Sequence, residues 1–267
     1  MTALTLLCQP VSWAEIENCD AGQVEAQVQQ GEVELAAGRL SAARTIIMGA
    51  IEAGESCGTS TELRLAALGE LTVIERIARN PEKGLEWANQ AISLAEQPFP
   101  NHDLYLAEAL ENRAQMLSDM GRFYDAEEPV RSAIAIWERQ PVIKHSELAS
   151  CYNTLGVLHL RLQDPDGAKR QLSRALTHAS LTTDEAPLAA VYHNIAIASW
   201  HQGDAAQGLG EVDQALEIAE RRIGMEHPYL VEILKTKAGI LTALHRKADA
   251  RKVNARVKVL AAKIQGR

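Results

Sequence analysis

Histidine and cysteine are the side chains of this chain that could bind a metal or move protons, and their spacing favours neither. The sequence holds eight His and four Cys. It contains no His-x-x-x-His, Glu-x-x-His or Cys-x-x-Cys pair, no Gly-rich phosphate loop and no Gly-x-Ser-x-Gly motif. His102, His145 and His227 begin similar short phrases far apart in the chain, which is typical of repeats rather than of one converging site. The sequence therefore predicts no catalytic residue, no metal site and no cofactor, and we do not expect an enzyme.

The remaining candidates for chemistry have simpler interpretations. His193 and His201 are eight residues apart and could share a helix face, but we expect them to be exposed polar residues. Cys151 falls inside a helical pattern, where a cysteine is usually a small core residue rather than a reactive thiol.

Composition limits the classes of partner. The chain has 267 residues, of which 46% are hydrophobic and 4% aromatic, so a core of Ala, Leu, Ile and Val is expected. No apolar run is long enough to cross a bilayer. Residues 246–267 hold eight Lys or Arg and one Asp, which gives this segment a net charge of +7. The whole chain has a net charge of −8, so the remaining residues carry −15. This distribution argues against a general nucleic-acid binder.

Three columns of small residues recur along the chain and indicate the elements that position everything else. They are Gly31, Thr72, Ala114, Gly156, Ala196 and Ala238; Ala43, Gly84, Ala126, Ala168, Gly208 and Ala250; and Ala50, Ala91, Ala133, Ala175, Ala215 and Val257. In every column the spacings are 41, 42, 42, 40 and 42 residues. A period in this range predicts a solenoid of about six stacked helix pairs.

Each repeat unit is expected to be a helical hairpin. In the fourth unit, apolar residues at helical spacing span 147–162. A break over residues 163–167, which contains Pro165 and Gly167, follows, and a second helix begins at Ala168. Gly38, Gly121 and Gly203 mark the corresponding turns of other units. Small residues recur because the two helices cross closely where they lie.

The residues also resemble a known family. Residues 192–208 and 214–218 resemble a tetratricopeptide repeat. Residues 121–134 and the phrases beginning at His102, His145 and His227 resemble its kinesin-light-chain-like subclass. The resemblance covers about residues 24–263 and is strongest in units three to five, whereas Thr72 and Val257 depart from it. Other helical solenoids of similar period, such as HEAT-like repeats, remain an alternative.

The resemblance implies an all-α, right-handed α-solenoid of helix-turn-helix repeats over residues 22–263, with an N-terminal segment 1–21 and a tail 264–267. It also implies a concave groove lined by the first helix of each pair, which makes the chain a non-enzymatic scaffold for a peptide or protein segment. Trp200 would be an apolar anchor, and Asn153 could bond a peptide backbone. The expected groove residues are Glu111, Gln115, Asn153, Val157, Leu160, His193, Ile197 and Trp200. The alternative is that the apolar members only pack against neighbouring second helices.

Two cysteines bear on the cellular compartment. Cys19 precedes the first helix of unit one and Cys57 follows its second helix, so the two should be neighbours at the open end of the hairpin. A disulfide there would need an oxidising compartment. Residues 3–11 are apolar and residues 12–14 resemble a signal-peptide cleavage site, although no basic residue precedes Arg39. We expect an exported protein, periplasmic or extracellular. The alternative is a cytoplasmic regulatory scaffold that senses a peptide or protein signal.

The basic C-terminal helix has three interpretations. An apolar stripe on this helix favours a cap over the last unit. The stripe consists of Val253, Val257, Leu260, Ala261 and Ile264. Alternatively, residues 246–267 make a weak contact with an anionic membrane, as in a peripheral membrane adaptor, or bind an acidic partner.

Overall fold

The computed structural model describes residues 21–97, 102–183 and 185–265, which form twelve α-helices and no β-strand. The helices are α1 (Ala21–Ala36), α2 (Leu40–Cys57), α3 (Thr61–Ile77), α4 (Pro81–Ala95), α5 (His102–Asp119), α6 (Phe123–Glu138), α7 (His145–Arg161), α8 (Pro165–Ala179), α9 (Ala186–His201), α10 (Ala205–Ile223), α11 (Tyr229–Ala243) and α12 (Lys247–Gln265). The all-α helical-repeat fold expected from the sequence is confirmed. Among the described residues, no helix is both long enough and apolar enough to span a bilayer.

The chain forms two compact units, residues 1–116 and 117–267. In the first unit α1 packs on α2, and α3 packs on α4. In the second unit the packed pairs are α7 with α8, α9 with α10, and α11 with α12. These pairs are the hairpins that the spacing predicted. Residues 1–20 lie outside the described residues, so the boundary of the N-terminal segment stays a prediction.

The columns of small residues lie where the two helices of a hairpin approach most closely. A Cβ atom added at Gly156 on α7 would lie 2.6 Å from Cγ of Leu172 on α8. A Cβ atom at Gly208 on α10 would lie 2.9 Å from the carbonyl oxygen of Ala196 on α9. Thr72, the exception in the first column, is buried, and its hydroxyl donates to the carbonyl of Leu68 at 2.9 Å. The close crossing therefore explains the recurrence of Gly and Ala.

A fourth column marks the hairpin turns. Each turn has one residue with a positive φ, between 59° and 90°, and the residue after it donates its N–H to the carbonyl five positions earlier, at 2.8–2.9 Å. This is the left-handed helix ending that glycine favours. Its members are Gly38, Arg79, Gly121, Gln163, Gly203 and His245, at the same spacings as the other columns. Three of the six turns thus use a residue other than glycine.

Within the second unit, the first helices of successive pairs lie closer together than the second helices. α7 contacts α9, and α9 contacts α11. The described backbones of α8 and α10, and of α10 and α12, approach less closely, and long side chains such as those of Arg256 and Glu220 bridge them. A row of helix pairs that is closer on one side curves toward that side. In this unit α7, α9 and α11 therefore line the inner side.

Candidate peptide-binding surface

Most of the predicted groove residues of the second unit lie on the inner side of the row of first helices. Asn153, Val157 and Leu160 lie on α7, and Ile197 and Trp200 lie on α9; all five are half-buried. We call these five residues the inner wall. Partial exposure means that they both contact neighbouring helices and present part of their surface to solvent. The inner wall therefore has apolar surface next to one amide.

Polar side chains connect the first helices of successive units in a fixed register. Nδ2 of Asn194 on α9 lies 2.8 Å from Oδ1 of Asn153 on α7. Nε2 of His193 on α9 lies 2.8 Å from Oγ1 of Thr236 on α11. In each pair, one residue lies three positions before the small first-column residue of its helix, and its partner lies two positions before the corresponding residue of the next unit. The two hydrogen bonds are thus equivalent rungs.

The Asn153–Asn194 rung leaves hydrogen-bonding capacity facing the inner wall. An amide side chain offers two N–H donors and a carbonyl acceptor. The rung uses the Asn153 oxygen and the Asn194 nitrogen. Among the described residues, the Asn153 amide nitrogen and the Asn194 oxygen make no other side-chain hydrogen bond. The Asn153 NH2 group and the Asn194 carbonyl oxygen therefore remain as one donor group and one acceptor group.

His193 differs from its prediction. It was expected to be an exposed polar residue and to face the groove, but it is only 8% exposed. Its ring packs edge-on against Tyr229, with the ring centroids 6.0 Å apart, and it bonds Thr236. Burial lowers the pKa of His193 to about 4, and Glu232 opposes this shift only in part. His193 is therefore a neutral structural residue at neutral pH.

Trp200 covers a glycine on the next first helix. A Cβ atom added at Gly239 on α11 would lie 2.5 Å from Cη2 of the indole. The indole also borders an open cavity of about 510 Å³ between α11 and α12. The other lining residues are Lys235, Ala238, Gly239, Thr242, Ala243 and Asn254. Trp200 thus lies over a surface of small side chains at one end of the inner wall.

The two predicted groove residues of unit three belong to the first compact unit. Gln115 donates from Nε2 to Oε1 of Glu111 at 3.0 Å, and both side chains are half-buried on α5. They form a polar pair on that helix.

A second polar cluster, which the sequence analysis missed, lies between α6, α7 and α8. The Tyr152 hydroxyl donates to Oε1 of Glu138 at 2.5 Å, and the Tyr152 ring stacks on His178. Nδ1 of His178 lies 2.9 Å from Nδ1 of His145. Burial, followed by the charge of His145, lowers the pKa of His178, while burial and Glu138 raise the pKa of Tyr152. These contacts fix the start of α7 against the end of α8, and their only sequence signal was the repeated linker histidine.

The basic charges of residues 246–265, on α12 and just before it, fall into two groups. Three of them pair with acids of the second unit: Arg246 with Asp249 at 2.8 Å, Lys263 with Glu226 at 2.7 Å, and Arg256 with Glu220. Four others are exposed and make no ion pair with any described residue; they are Lys247, Arg251, Lys252 and Lys258. The apolar side of α12 packs on the core of the last two units through Val253, Val257, Leu260 and Ile264. This packing is what the capping interpretation requires.

The cysteine predictions have separate outcomes. Cys151 is buried on α7, as expected for a core residue. Cys19 lies outside the described residues, and of Cys57 only the backbone at the end of α2 is described, so the disulfide stays a prediction. Among the described residues, no three His, Cys, Asp or Glu side chains converge as metal ligands would.

The fold, with its stacked hairpins and an inner row of first helices, defines a helical-repeat scaffold. The model of one tetratricopeptide repeat family matches residues 105–180, and that of a second matches residues 188–229. These matches show tetratricopeptide repeats over residues 105–180 and 188–229. The two matches cover units three to five, where the resemblance in sequence is strongest.

Solved structures show the same fold at low sequence identity. BtubC (BKLC) from P. vanneervenii is 18% identical, with a TM-score of 0.62 over 91% of this chain and 93% of that chain. A kinesin-light-chain-like protein of Podosopora anserina, with nearly identical TPR-like repeats, is 18% identical, with a TM-score of 0.56 over 76% of this chain and 97% of that one. Aspartyl phosphate phosphatase F from Bacillus subtilis is 14% identical, with a TM-score of 0.72 over 92% of this chain but only 62% of that one. No curated protein sequence matches the chain significantly.

Proposed function

We propose that this protein binds an extended peptide or protein segment along the inner wall of its second unit. The tetratricopeptide repeat fold is a protein–protein interaction scaffold, and proteins of this fold are generally not enzymes. The observation that supports the finer proposal is the combination of half-buried apolar side chains with an amide rung. Val157, Leu160, Ile197 and Trp200 offer apolar surface, and the Asn153–Asn194 rung keeps one donor and one acceptor available.

The chemistry of this surface suits an extended chain. A peptide in extended conformation presents N–H and C=O groups that need partners when it leaves water. One amide donor and one acceptor at the rung can satisfy one such peptide group. Its side chains can cover the aliphatic residues on either side, and a side chain next to the Trp200 indole gains most, because aromatic residues dominate interface energies when they lose solvent.

The compartment is a separate part of the proposal. We propose export to an oxidising compartment, on the sequence evidence of residues 3–14 and of the Cys19–Cys57 pairing. Non-reducing mass spectrometry of peptides from native-source protein tests it. A Cys19–Cys57 cross-linked peptide supports export. Two free thiols would contradict export and support the alternative of a cytoplasmic regulatory scaffold.

Selection from a displayed random peptide library tests the inner wall directly. Peptides selected on the immobilised full chain are labelled, and their affinity is measured by fluorescence anisotropy. We expect the double variant N153A/W200A to weaken binding at least about a hundredfold, because an aromatic anchor and a hydrogen bond together contribute about 3 kcal/mol. The matched control is Tyr124→Ala, which removes an aromatic residue that is 81% exposed on α6.

Comparison of the two variants with the wild type distinguishes the possible outcomes. Loss of affinity in N153A/W200A with retention in the Tyr124→Ala variant supports the inner wall. Equal affinity in all three proteins would place the binding surface elsewhere, and the absence of any selected peptide would contradict peptide binding altogether. Circular dichroism melting curves establish that each variant remains folded.

A further inference from the structure

Exposed aliphatic side chains of the second unit are concentrated at the loops that join one helix pair to the next. Seven large hydrophobic residues of the described part of this unit are exposed, and five of them lie at these three loops, between 39% and 70% exposed. We call these five the apolar loop edge. They are Val142, Ile143, Leu181, Ile223 and Met225. Tyr124 on α6 and Val259 on α12 are the other two.

The three loops belong to one edge of the unit. Each follows a second helix and precedes a first helix, so all three lie opposite the hairpin turns. Contacts within each helix pair connect the loop before its first helix to the end of its second helix. His145 at the start of α7 meets His178 at the end of α8 at 2.9 Å. Glu185 before α9 bonds Arg221 at the end of α10 at 2.7 Å, and the Lys263–Glu226 pair joins the next loop to α12.

The charged side chains of this edge differ in whether they form ion pairs. Glu185 and Glu226, the described acids of the second and third loops, are both engaged in ion pairs. Arg139 and Lys144 bracket Val142 and Ile143 in the first loop, and both are exposed. Neither makes an ion pair with any described residue. The first aliphatic tip is therefore flanked by two available cations, and Glu185 and Glu226, the described carboxylates of the other two loops, are paired with cations.

We propose that the apolar loop edge contacts an anionic membrane surface. Separate aliphatic tips, the first of them flanked by two cations without ion pairs, match the two attractions of an interfacial protein, apolar insertion between headgroups and charge attraction to lipid phosphates. The tips recur once per repeat and each offers one or two side chains rather than a continuous patch. A fluid bilayer can rearrange around each tip, whereas a protein partner would need a matched row of pockets. Anionic lipid is therefore the occupant that this row of tips fits best.

Vesicle co-sedimentation of the full chain tests this contact. The probes are phosphatidylcholine vesicles with and without phosphatidylserine, at low and high salt. We expect the wild type to bind the phosphatidylserine vesicles, and the variant I143S/L181S/M225S to lose at least about tenfold in partition coefficient. The variant R139E/K144E should lose binding at low salt. The matched controls are Y124S/V259S, which removes exposed apolar residues elsewhere, and K252E/K258E, which reverses two charges on α12.

Each outcome decides the proposal. Binding that the loop variants abolish and the two control variants retain supports the apolar loop edge. No binding by the wild type overturns it. Loss of binding only in K252E/K258E also overturns it, because the contact then belongs to α12. Sedimentation equilibrium adds a last outcome: self-association that I143S/L181S/M225S abolishes, without vesicle binding, would make this edge an interface between two copies.

Discussion

Asn194 on α9 donates a hydrogen bond of 2.8 Å to Asn153 on α7, forty-one residues earlier in the chain. The bond joins the first helices of two successive repeats at the surface that we propose for binding. His193 and Thr236 make the equivalent bond one repeat later. Equivalent positions of successive repeats thus carry two hydrogen bonds with different roles. One rung is half-buried and keeps free polar atoms, and the other is closed by Tyr229 and contributes to the fold.

The Asn153–Asn194 rung should contribute measurably to stability. A neutral hydrogen bond between partly buried side chains contributes about 1 kcal/mol. We expect Asn153→Ala and Asn194→Ala each to lower the free energy of unfolding by about 1 kcal/mol, and the double variant to cost clearly less than their sum. Urea denaturation of the four proteins gives the coupling energy. Strict additivity of the two costs would mean that the amides do not interact in solution.

His193 should make the second unit sensitive to acid. Because burial lowers its pKa to about 4 in the folded protein, protons bind the unfolded chain more tightly. The stabilisation that comes from keeping this imidazole neutral is fully present above the pKa of about 6.5 that His193 has in the unfolded chain, and it is lost as the pH falls toward 4. Its size is about 3 kcal/mol. We expect the free energy of unfolding of the wild type to fall relative to that of His193→Gln over this pH range.

Urea denaturation at a series of pH values measures this difference. The comparison with His193→Gln removes the contributions of other titrating groups, since both proteins share them. A difference that stays constant between pH 6.5 and 4 would contradict a buried neutral imidazole.

The hairpin turns offer a test of backbone strain. Gln163 has a φ of 59°, a conformation that costs a residue with a Cβ atom about 1 kcal/mol. Replacing it with glycine also makes the unfolded chain more flexible, so we expect Gln163→Gly to stabilise the protein by about 0.5 kcal/mol net. At Gly203, which has a φ of 90°, the reverse change to alanine should destabilise it by about 1 kcal/mol.

Thermal melts of both variants check the sign of each change. Gly210→Ala on α10 is a useful control, because a Cβ atom there meets no other atom within 4 Å and should only improve helix propensity. If Gln163→Gly and Gly203→Ala shifted the melting temperature in the same direction, the shared turn geometry would be wrong.

The sequence predicted what depends on local spacing. The small-residue columns gave the helix pairs, since close crossing needs Gly or Ala at a fixed position of every repeat. The turns were predicted at Gly38, Gly121 and Gly203 and at the break that begins with Gln163, but not at Arg79 and His245, which have no turn preference of their own. The constant spacing of about forty-two residues was the signal that could have found them.

The sequence did not predict which side chains form hydrogen bonds between successive repeats. One rung pairs two amides and the other pairs an imidazole with a hydroxyl, so no residue type recurs to reveal the register. His193 was predicted to be exposed because its own helix pattern shows only its neighbours in sequence. Tyr229 and Thr236, which cover it, come from the following unit. Burial at such positions depends on how two helices dock, and residue spacing within one helix does not contain that information.

The ion pair between Arg44 on α2 and Glu75 on α3 should have an asymmetric effect on the first unit. Nε and Nη2 of Arg44 donate to the two carboxylate oxygens of Glu75 at 2.7 and 3.0 Å, and Nδ2 of Asn80 donates to the carboxylate at 3.2 Å. The Glu75 side chain is 3% exposed, whereas that of Arg44 is 33% exposed. Removing the arginine leaves a buried carboxylate with one neutral partner, whereas removing the glutamate leaves a guanidinium that water can still reach.

We therefore expect Arg44→Ala to cost about 3 kcal/mol of unfolding free energy and Glu75→Ala about 2 kcal/mol. The double variant R44M/E75L should cost less than either, because two apolar side chains leave no charge without a partner. Glu55→Ala is the control, since it breaks a surface ion pair with Arg64 and should cost less than about 0.5 kcal/mol. If urea denaturation gave Glu75→Ala the larger cost, the unpaired carboxylate would be tolerated better than the unpaired guanidinium, and the expected asymmetry would be wrong.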